Sequence, residues 1–276
     1  VAGSLSNPNA LGIASAVQRI TVSVNSSGNV FDCSMTGFLN LVNEQLGTEF
    51  FAGAGTTLNQ GNTAVTATSF KLFVYIPIAM NRRDPLGLVL LQSEQQTVTL
   101  QILWAADATV ATGATVTSTV RPKIAAFDIP SDGTLPPLNY LHQIIEDSNP
   151  VSQAGDVPYS PIRGNVYLAV WHGLTLAAAA ADSFSRIQVW VDGSNLWIDN
   201  NIDDLDQLYY LNRGRTRRAG VIDVDFMASS ELGTLGLTRD WFNTAQTTDY
   251  RHIITASGSG TLTTVRRMLN KIPSAA

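Results

Sequence analysis

The chain has 276 residues, of which 45 % are apolar and 14 % are charged, and its net charge at pH 7 is −5. The acidic balance argues against a dedicated nucleic-acid binder, whose surface is usually strongly basic, and no apolar run approaches the roughly 18 residues of a membrane-spanning helix. Because soluble domains are usually about 25 % charged, we expect much of the surface to be covered by other chains.

Residues 1–17 are dominated by small side chains and include no charged one. Such a stretch buries too little apolar area to fold alone, and Pro8 disfavours a continuous helix through it. We therefore expect residues 1–17 to be an N-terminal arm that is ordered only against a neighbour, and a frayed terminus is the alternative.

The most informative feature of the sequence is an internal repeat. Residues 19–47 align without a gap on residues 186–214, a shift of 167 positions (186 − 19), and eight of the 29 aligned pairs are identical. These pairs are Arg19/Arg186, Ile20/Ile187, Val22/Val189, Val24/Val191, Ser27/Ser194, Asp32/Asp199, Leu41/Leu208 and Gly47/Gly214. Since a domain usually has roughly 100 to 200 residues, the repeat and the length together predict two similar domains.

Each copy of the repeat begins with an alternating strand, at residues 20–24 and 187–191. The β-branched residues recur at every second position, so one face of each strand is predicted to be core. Turn-forming residues follow at 25–28 and 192–194, and a short apolar segment comes next, which predicts a hairpin in both copies.

Each hairpin leads into a predicted short amphipathic helix. Ser34 and Asn201 are aligned, and both are good N-cap residues. Gly47 and Gly214 stand where a left-handed residue usually ends a helix. Between cap and glycine, apolar residues recur at i, i+3 and i+4 in both copies, at Phe38, Leu41 and Val42 and at Leu205, Leu208 and Tyr209.

The two copies diverge after the helix. Residues 48–68 are a long loop rich in Gly, Thr and Asn, whereas residues 215–219 are a short connection. The apolar run 86–91 has no polar face, so we expect a strand that is covered on both sides. Further strands are predicted at 70–76, 98–104 and 115–118 in the first copy and at 221–226, 251–256 and 261–264 in the second.

Six prolines mark residues 130–163 as a linker between the copies. One short helix is predicted inside it, at residues 138–146. The predicted division of the chain is therefore an arm at 1–17, a first β domain at 18–129, a Pro-rich linker at 130–163 and a second β domain at 164–276.

The sequence offers little catalytic chemistry. His142, His172 and His252 fall in the linker and in two separate strands, and no spacing among them would place two imidazoles on one metal. Cys33 is the lone cysteine and is expected to behave as a small buried hydrophobe. Residues 257–260 lack the strand-to-helix context of a nucleophile elbow and are expected to form a hairpin turn. We therefore expect no enzymatic activity and no cofactor.

Acidic residues near the second helix superficially suggest a calcium loop. Asp199, Asp203 and Asp204 are weak calcium candidates, because the glycine and the terminal glutamate of an EF-hand are missing. Acidic side chains that stabilise a helix N-terminus are the better account. The basic run 213–218 is expected to be a solvated loop or an ion-pair partner of Asp203, Asp204 and Asp206.

The order and the duplication of these elements resemble the double jelly-roll major capsid proteins of tailless, membrane-containing viruses. Among them, the chain is most similar to the corticovirus-like bacteriophage type. The resemblance covers roughly residues 19–269 and rests on residues 185–198, 201–213 and 219–227, with support from 73–78 and 84–88. It implies an all-β fold of two tandem jelly-roll barrels, each with a short helix.

The resemblance also implies a structural, non-catalytic function. Three copies of the chain would form a pseudo-hexagonal capsomer of an icosahedral virion, made in the host cytoplasm. The implied partners are the chain itself as a homotrimer, neighbouring capsomers, penton or minor capsid proteins and an internal membrane. No direct sequence-specific binding of nucleic acid is implied.

A lectin-like protein is the alternative interpretation, as a two-domain β-sandwich that binds carbohydrate. Such a protein groups exposed aromatic side chains for stacking on sugars, and Trp171, Trp190 and Trp197 could supply them. Trp190 and Trp197 lie on neighbouring hairpin strands and can equally face a partner barrel.

Overall fold

The computed structural model describes residues 16–25, 28–35, 37–38, 76–78, 89, 97–106, 120–124, 140–176, 182–214, 217, 219–226 and 241–271. These residues form the strands β1 (Val17–Val24), β2 (Gly28–Ser34), β3 (Val98–Trp104), β4 (Tyr140–Val151), β5 (Gly155–Tyr159), β6 (Val166–Leu176), β7 (Phe184–Val191), β8 (Asn195–Asn201), β9 (Val221–Asp225), β10 (Phe242–Asn243), β11 (Tyr250–Ala256) and β12 (Gly260–Lys271). The helix α1 spans Ile202–Arg213. The chain divides into unit 1 (Val1–His142 with Pro273–Ala276) and unit 2 (Gln143–Ile272).

The described strands of unit 1 form an antiparallel sheet in the order β3-β1-β2. Ile20 and Val22 on β1 are each 3 % exposed, which is the core face that their alternation predicts. The ring of Phe31 on β2 packs edge to face against the ring of Phe38, with centroids 5.2 Å apart. The first predicted hairpin is therefore present, with its apolar side chains buried.

Unit 2 contains two sheets. The first has the order β4-β12-β6, and β9 and β10 pair with successive parts of the far edge of β6. The second has the order β5-β11-β7-β8. Because β6 is central in its sheet and faces the second sheet, its residues from Val166 to His172 are all buried.

The strands of unit 2 pair as one long hairpin wound across two sheets. The outermost strands along the chain pair with each other, β4 with β12, and the next pair is β5 with β11. The inner pairs are β6 with β9 and β7 with β8. This nested order over two facing sheets is the jelly roll.

The core of unit 2 lies between its two sheets. Val170 and Leu174 on β6 belong to one buried cluster with Ile187 and Val189 on β7. The strand β11 alternates strictly between buried and half-buried residues, so its residues Tyr250, His252, Ile254 and Ala256 share the core face. Burial of apolar surface on this scale is the main stabilising contribution to such a barrel.

The two copies of the repeat adopt the same local structure. The pairing of β1 with β2 has the same register as the pairing of β7 with β8, including a bulge after Val22 and one after Val189. Asn25 and Asp192, at aligned positions, both have positive φ, at 52° and 54°. Each is a short polar residue that tolerates this conformation in a tight turn.

An ion pair is repeated as well. Arg19 Nε donates to Asp32 Oδ1 at 2.6 Å, and Arg186 Nε donates to Asp199 Oδ1 at 2.6 Å. The arginine and the aspartate are each identical between the copies. The pair joins neighbouring strands of the hairpin in both units, so the identity of these residues follows from the repeated geometry.

The helix caps follow the repeat too. Ser34 Oγ accepts a hydrogen bond from the backbone N–H of Gly37 at 3.0 Å, and Asn201 Oδ1 accepts one from Asp204 at 2.9 Å. Gly214 ends α1 with φ 66°, and its N–H donates to the carbonyl of Tyr210. The predicted cap and stop of the second helix are confirmed, whereas Gly47 lies outside the described residues.

The predicted linker is the main point of disagreement. Residues 140–151 and 155–159 form β4 and β5, one in each sheet of unit 2, and the division between the units falls at 142/143. The helix predicted at 138–146 is wrong, because adjacent β-branched residues such as Ile144 and Ile145 favour a strand. Pairing with β12 then completes the sheet.

The other predicted strands divide into two groups. The strands expected at 98–104, 221–226, 251–256 and 261–264 correspond to β3, β9, β11 and part of β12. The loop 48–68, the strand 115–118 and almost all of 70–76 and 86–91 lie outside the described residues, as do residues 1–15. The arm at 1–17 and the remaining domain limits stay predictions.

Candidate functional site

Two of the three histidines meet in the core of unit 2. His172 Nε2 on β6 lies 2.8 Å from His252 Nδ1 on β11, and both side chains are 0 % exposed. The expectation from the sequence concerns only whether two imidazoles could share a metal, and it does not include this direct contact. The residues are 80 positions apart and meet only because the two sheets face each other, which spacing along the chain does not reveal.

A signal for this pair was nevertheless present in the sequence. His172 stands between Val170 and Leu174 in period-two alternation, and His252 stands between Tyr250 and Ile254. Both histidines therefore occupy core positions of their strands. A buried polar group needs a hydrogen-bond partner, so two core histidines in one barrel could have been expected to pair.

The outer nitrogens of the pair are also hydrogen-bonded. His172 Nδ1 lies 2.9 Å from Thr264 Oγ1, and His252 Nε2 lies 2.7 Å from Tyr250 Oη. Burial lowers the pKa of His172 well below its usual value, with a smaller contribution from His252. Burial also lowers the pKa of His252 to about 3. Both imidazoles are therefore neutral at pH 7.

A second polar group lies next to the histidines. Tyr159 Oη donates to Asp147 Oδ2 at 2.7 Å, and Arg266 Nη2 donates to Asp147 Oδ1 at 3.0 Å. Burial raises the pKa of Tyr159, against the opposing charge of Arg266, so the phenol keeps its proton. The ring of Tyr159 contacts the ring of His172 edge to face, with centroids 5.5 Å apart. Together these side chains form a polar centre within the barrel.

The calcium candidates have other structural roles. Arg186 Nε and Nη2 donate to the two carboxylate oxygens of Asp199 at 2.6 and 2.5 Å, and this pairing lowers the pKa of Asp199. Asp203 and Asp204 lie exposed in the first turn of α1, where the helix dipole favours negative charge. Within the described ranges, no three His, Cys, Asp or Glu side chains are grouped to hold a metal ion. The structure thus adds no support to calcium binding.

The basic run after α1 contributes one buried arginine. The side chain of Arg217 is 3 % exposed; its Nε donates to Asp206 Oδ1 and its Nη1 to the carbonyl of Val221, each at 2.8 Å. Its Nη2 pairs with Asp182. The Asp182 carboxylate also accepts the backbone N–H groups of Phe184 and Gly220 at 3.1 Å each. Arg217 thus ties α1 to the starts of β7 and β9.

The three tryptophans named as sugar-stacking candidates do not form an exposed group. Trp171 is 1 % exposed. Trp190 is half-buried, and the Arg251 guanidinium lies 5.6 Å from the centroid of its ring. Trp197 is 52 % exposed and stacks on Phe226, with ring centroids 5.5 Å apart. A lectin-like cluster is therefore absent at these three positions.

Several large apolar side chains of unit 2 remain exposed on β8 and α1. They are Leu196 (39 %), Trp197 (52 %), Leu208 (43 %), Tyr210 (60 %) and Leu211 (68 %). Leu208 and Leu211 are three residues apart and so lie on one side of the helix. Where exposed apolar groups form one contiguous patch, they mark a surface that binds other molecules.

The repeat shows the same positions in a covered state. Val30 and Phe31 on β2 are 2 % and 1 % exposed, whereas their aligned partners on β8, Trp197 and Ile198, are 52 % exposed and half-buried. The contrast is largest at the aligned pair Val30 and Trp197, which is buried in the first copy and exposed in the second.

The strand β3 of unit 1 is exposed on both faces. Leu103 is 52 % exposed and Trp104 is 41 % exposed, and neighbouring residues of a strand point to opposite faces. Among the described strands, β3 is the last in its sheet, and an exposed apolar strand at a sheet edge tends to pair with other chains. Unit 1 thus presents a second surface suited to association.

The remaining sequence features have simple placements. Cys33 is fully buried on β2, as expected of a small hydrophobe. Residues 257–259 connect β11 with β12, which lie in different sheets, so the hairpin turn expected there is wrong. The part of the chain that the structure describes contains no helix long and apolar enough to cross a lipid bilayer.

Solved structures share this fold over nearly the whole chain. The major capsid protein P2 from bacteriophage PM2 is 11 % identical, with a TM-score of 0.54, over 100 % of this chain and 91 % of that protein. The major capsid protein of STIV is 11 % identical, with a TM-score of 0.59, over 98 % of this chain and 83 % of that chain. The PBCV-1 virus capsid is 10 % identical, with a TM-score of 0.61, over 97 % of this chain and 85 % of that chain.

These neighbours are double jelly-roll major capsid proteins, and PM2 is a corticovirus. The chain is accordingly an all-β protein of the double jelly-roll fold, as the resemblance predicts. No protein-family model and no curated protein sequence matches the chain.

Proposed function

We propose that the protein is a major capsid protein that builds the shell of an icosahedral virion. The observation that carries this proposal is the likeness of nearly the entire chain to capsid proteins of the double jelly-roll fold. Two similar barrels in one chain suit a shell, because three chains then supply six similar barrels to a pseudo-hexagonal capsomer.

Self-association is supported by the surface of the chain. The exposed apolar residues of β8 and α1 and the open strand β3 are liabilities in an isolated subunit. In a closed ring of three subunits the same surfaces become contacts between chains. The low charged share, 14 %, fits a protein with much of its surface covered.

A capsid made of such capsomers implies particular partners and a particular location for the protein. Neighbouring capsomers, penton or minor capsid proteins and an internal membrane are the proposed partners, and the shell is the proposed location after synthesis in the host cytoplasm. The arm at residues 1–17 is proposed to contact adjacent subunits or the membrane. The role is structural, without catalysis.

Native mass spectrometry of the purified chain tests the subunit count. We expect a homotrimer at micromolar concentration. A Leu208→Lys/Leu211→Lys variant tests one surface, since two charges would oppose its burial, and we expect fewer trimers at an unchanged melting temperature. The matched control Gln207→Lys changes an exposed polar residue of the same helix and should stay trimeric.

A spectrum of the unaltered chain that holds only monomer would contradict the trimer. Trimers of equal abundance in the Leu208→Lys/Leu211→Lys variant would place α1 outside the contacts between subunits while leaving the trimer itself intact.

A further inference from the structure

The polar centre of unit 2 links the two sheets of its barrel. His172 and Thr264 lie on β6 and β12 in the first sheet, whereas His252 and Tyr250 lie on β11 in the second. The hydrogen bond between the histidines therefore crosses a core made mainly of apolar side chains. Well-packed apolar residues usually stabilise a core at least as well as buried polar ones, so stability alone does not explain this pair.

We propose that the His172–His252 hydrogen bond is an acid-sensitive latch between the two sheets. A neutral imidazole carries one N–H and one bare nitrogen, so one proton lies between Nε2 of His172 and Nδ1 of His252. If both rings are protonated, two N–H groups face each other across 2.8 Å. The bond is then replaced by repulsion in the core, and the sheets separate.

The side chains around the two histidines do not neutralise the positive charge of a protonated imidazole. The nearby carboxylate, Asp147, is already bound by Arg266 and Tyr159. Strand alternation directs the side chains of the even-numbered His142 and Glu146 to the other face of β4. The titratable and charged groups on the core faces of the packed strands are Asp147 on β4, Tyr159 on β5, Tyr167 on β6, Tyr250 on β11 and Arg266 on β12.

The direction of the pH effect follows from the pKa values. In the unfolded chain each histidine binds a proton near pH 6.5, while burial holds the pKa of His172 well below that value and the pKa of His252 at about 3. Below pH 6.5 the unfolded state thus binds more protons than the folded state, and stability falls as pH falls. Well below pH 6.5, each histidine raises the unfolding constant by about tenfold for every unit by which the pH is lowered.

The pH dependence of urea unfolding tests the latch on the full chain. Between pH 6.0 and 4.5 we expect the unfolding constant of unit 2 to rise about 600-fold, since both histidines of the unfolded chain complete their protonation below a pKa of about 6.5. A His172→Phe/His252→Phe variant keeps two rings of similar size and should lose this two-proton dependence. The matched control His142→Gln removes the third buried histidine and should retain it.

Amide hydrogen exchange distinguishes a local effect of the latch from a loss of stability throughout the protein in acid. After correction for intrinsic rates, the amides of β6 and β11 should exchange faster at pH 5 than at pH 7, while those of β1 and β2 should change less. Equal pH dependence in the unaltered and double-Phe proteins would overturn the proposal. If the double variant does not fold, NMR titration of the unaltered chain decides, and His172 or His252 signals that titrate near pH 6.5 would overturn it.

The latch itself does not depend on the proposed capsid function, because the test uses the unassembled chain. Its consequence for a shell does rest on that function. In assembled particles, acid would destabilise unit 2 of every subunit and so favour loss of the shell, and the double-Phe variant should extend the life of particles at pH 5. Absence of particles would count against the capsid function, whereas particles with unaltered acid sensitivity would count against the latch.

Discussion

A Val189→Asp variant is expected to lose the folded unit 2. Val189 is 0 % exposed on β7 and belongs to the core cluster of unit 2 together with Ile187 and Tyr250. A carboxylate there would be a charge in an apolar core, so we expect a loss of more than about 4 kcal/mol in the free energy of unfolding. Circular dichroism and urea unfolding followed by tryptophan fluorescence measure it.

The control for this variant is Ser185→Asp, which places the same charge at an exposed position of the same strand. Its free energy of unfolding should change by less than about 0.5 kcal/mol. Because Val22 is the aligned residue and is 3 % exposed, Val22→Asp should damage unit 1 in the same way. A folded Val189→Asp protein with the original midpoint would mean that the core face of β7 is wrongly assigned.

An Arg217→Ala variant is expected to lose about 3 kcal/mol of stability. The buried guanidinium pairs with Asp182 and Asp206 and donates to the Val221 carbonyl. Its removal leaves two carboxylates facing each other and one carbonyl without its donor. The helix α1 and the starts of β7 and β9 then lose their common tie, which the urea midpoint measures.

The repeated surface ion pair supplies the control. Arg186→Ala removes an arginine that also has close contacts to a carboxylate, but with side chains 47 % and 32 % exposed for Arg186 and Asp199. Exposed ion pairs contribute little to stability and are screened by salt, so we expect a much smaller loss for Arg186→Ala than for Arg217→Ala. Equal losses in the two variants, or loss of the Arg217 effect in high salt, would show that burial does not set the strength of the Arg217 contacts.

The repeated element could be predicted from the sequence because each of its parts is local. Hairpin register follows from the alternation of Ile20 and Val22 and of Ile187 and Val189, and the caps Ser34 and Asn201 act within three residues. Because the two copies can be aligned, each strand pattern and each cap residue is seen twice in the sequence. The bulge, the positive φ and the ion pair recur in the structure at the same shift of 167 positions (186 − 19).

The parts that sequence reasoning missed depend on contacts between distant segments. The prolines Pro150 and Pro158 suggested a linker, yet both lie in strands that complete the two sheets of unit 2. Proline is tolerated at the ends and edges of strands. Pro150 is the penultimate residue of β4, and β5 is the outer strand of the second sheet. Likewise, the histidine pair exists only once β6 and β11 face each other, so its 80-residue spacing carried no signal.

Electron microscopy of the purified chain under assembly conditions can show directly whether the protein builds a capsid. We expect flat, pseudo-hexagonal particles of three subunits, in which six barrels form a ring, and closed shells built from these particles. Compact single particles of one chain, with no hexagonal outline and no shells at any concentration, would contradict the proposed capsid function.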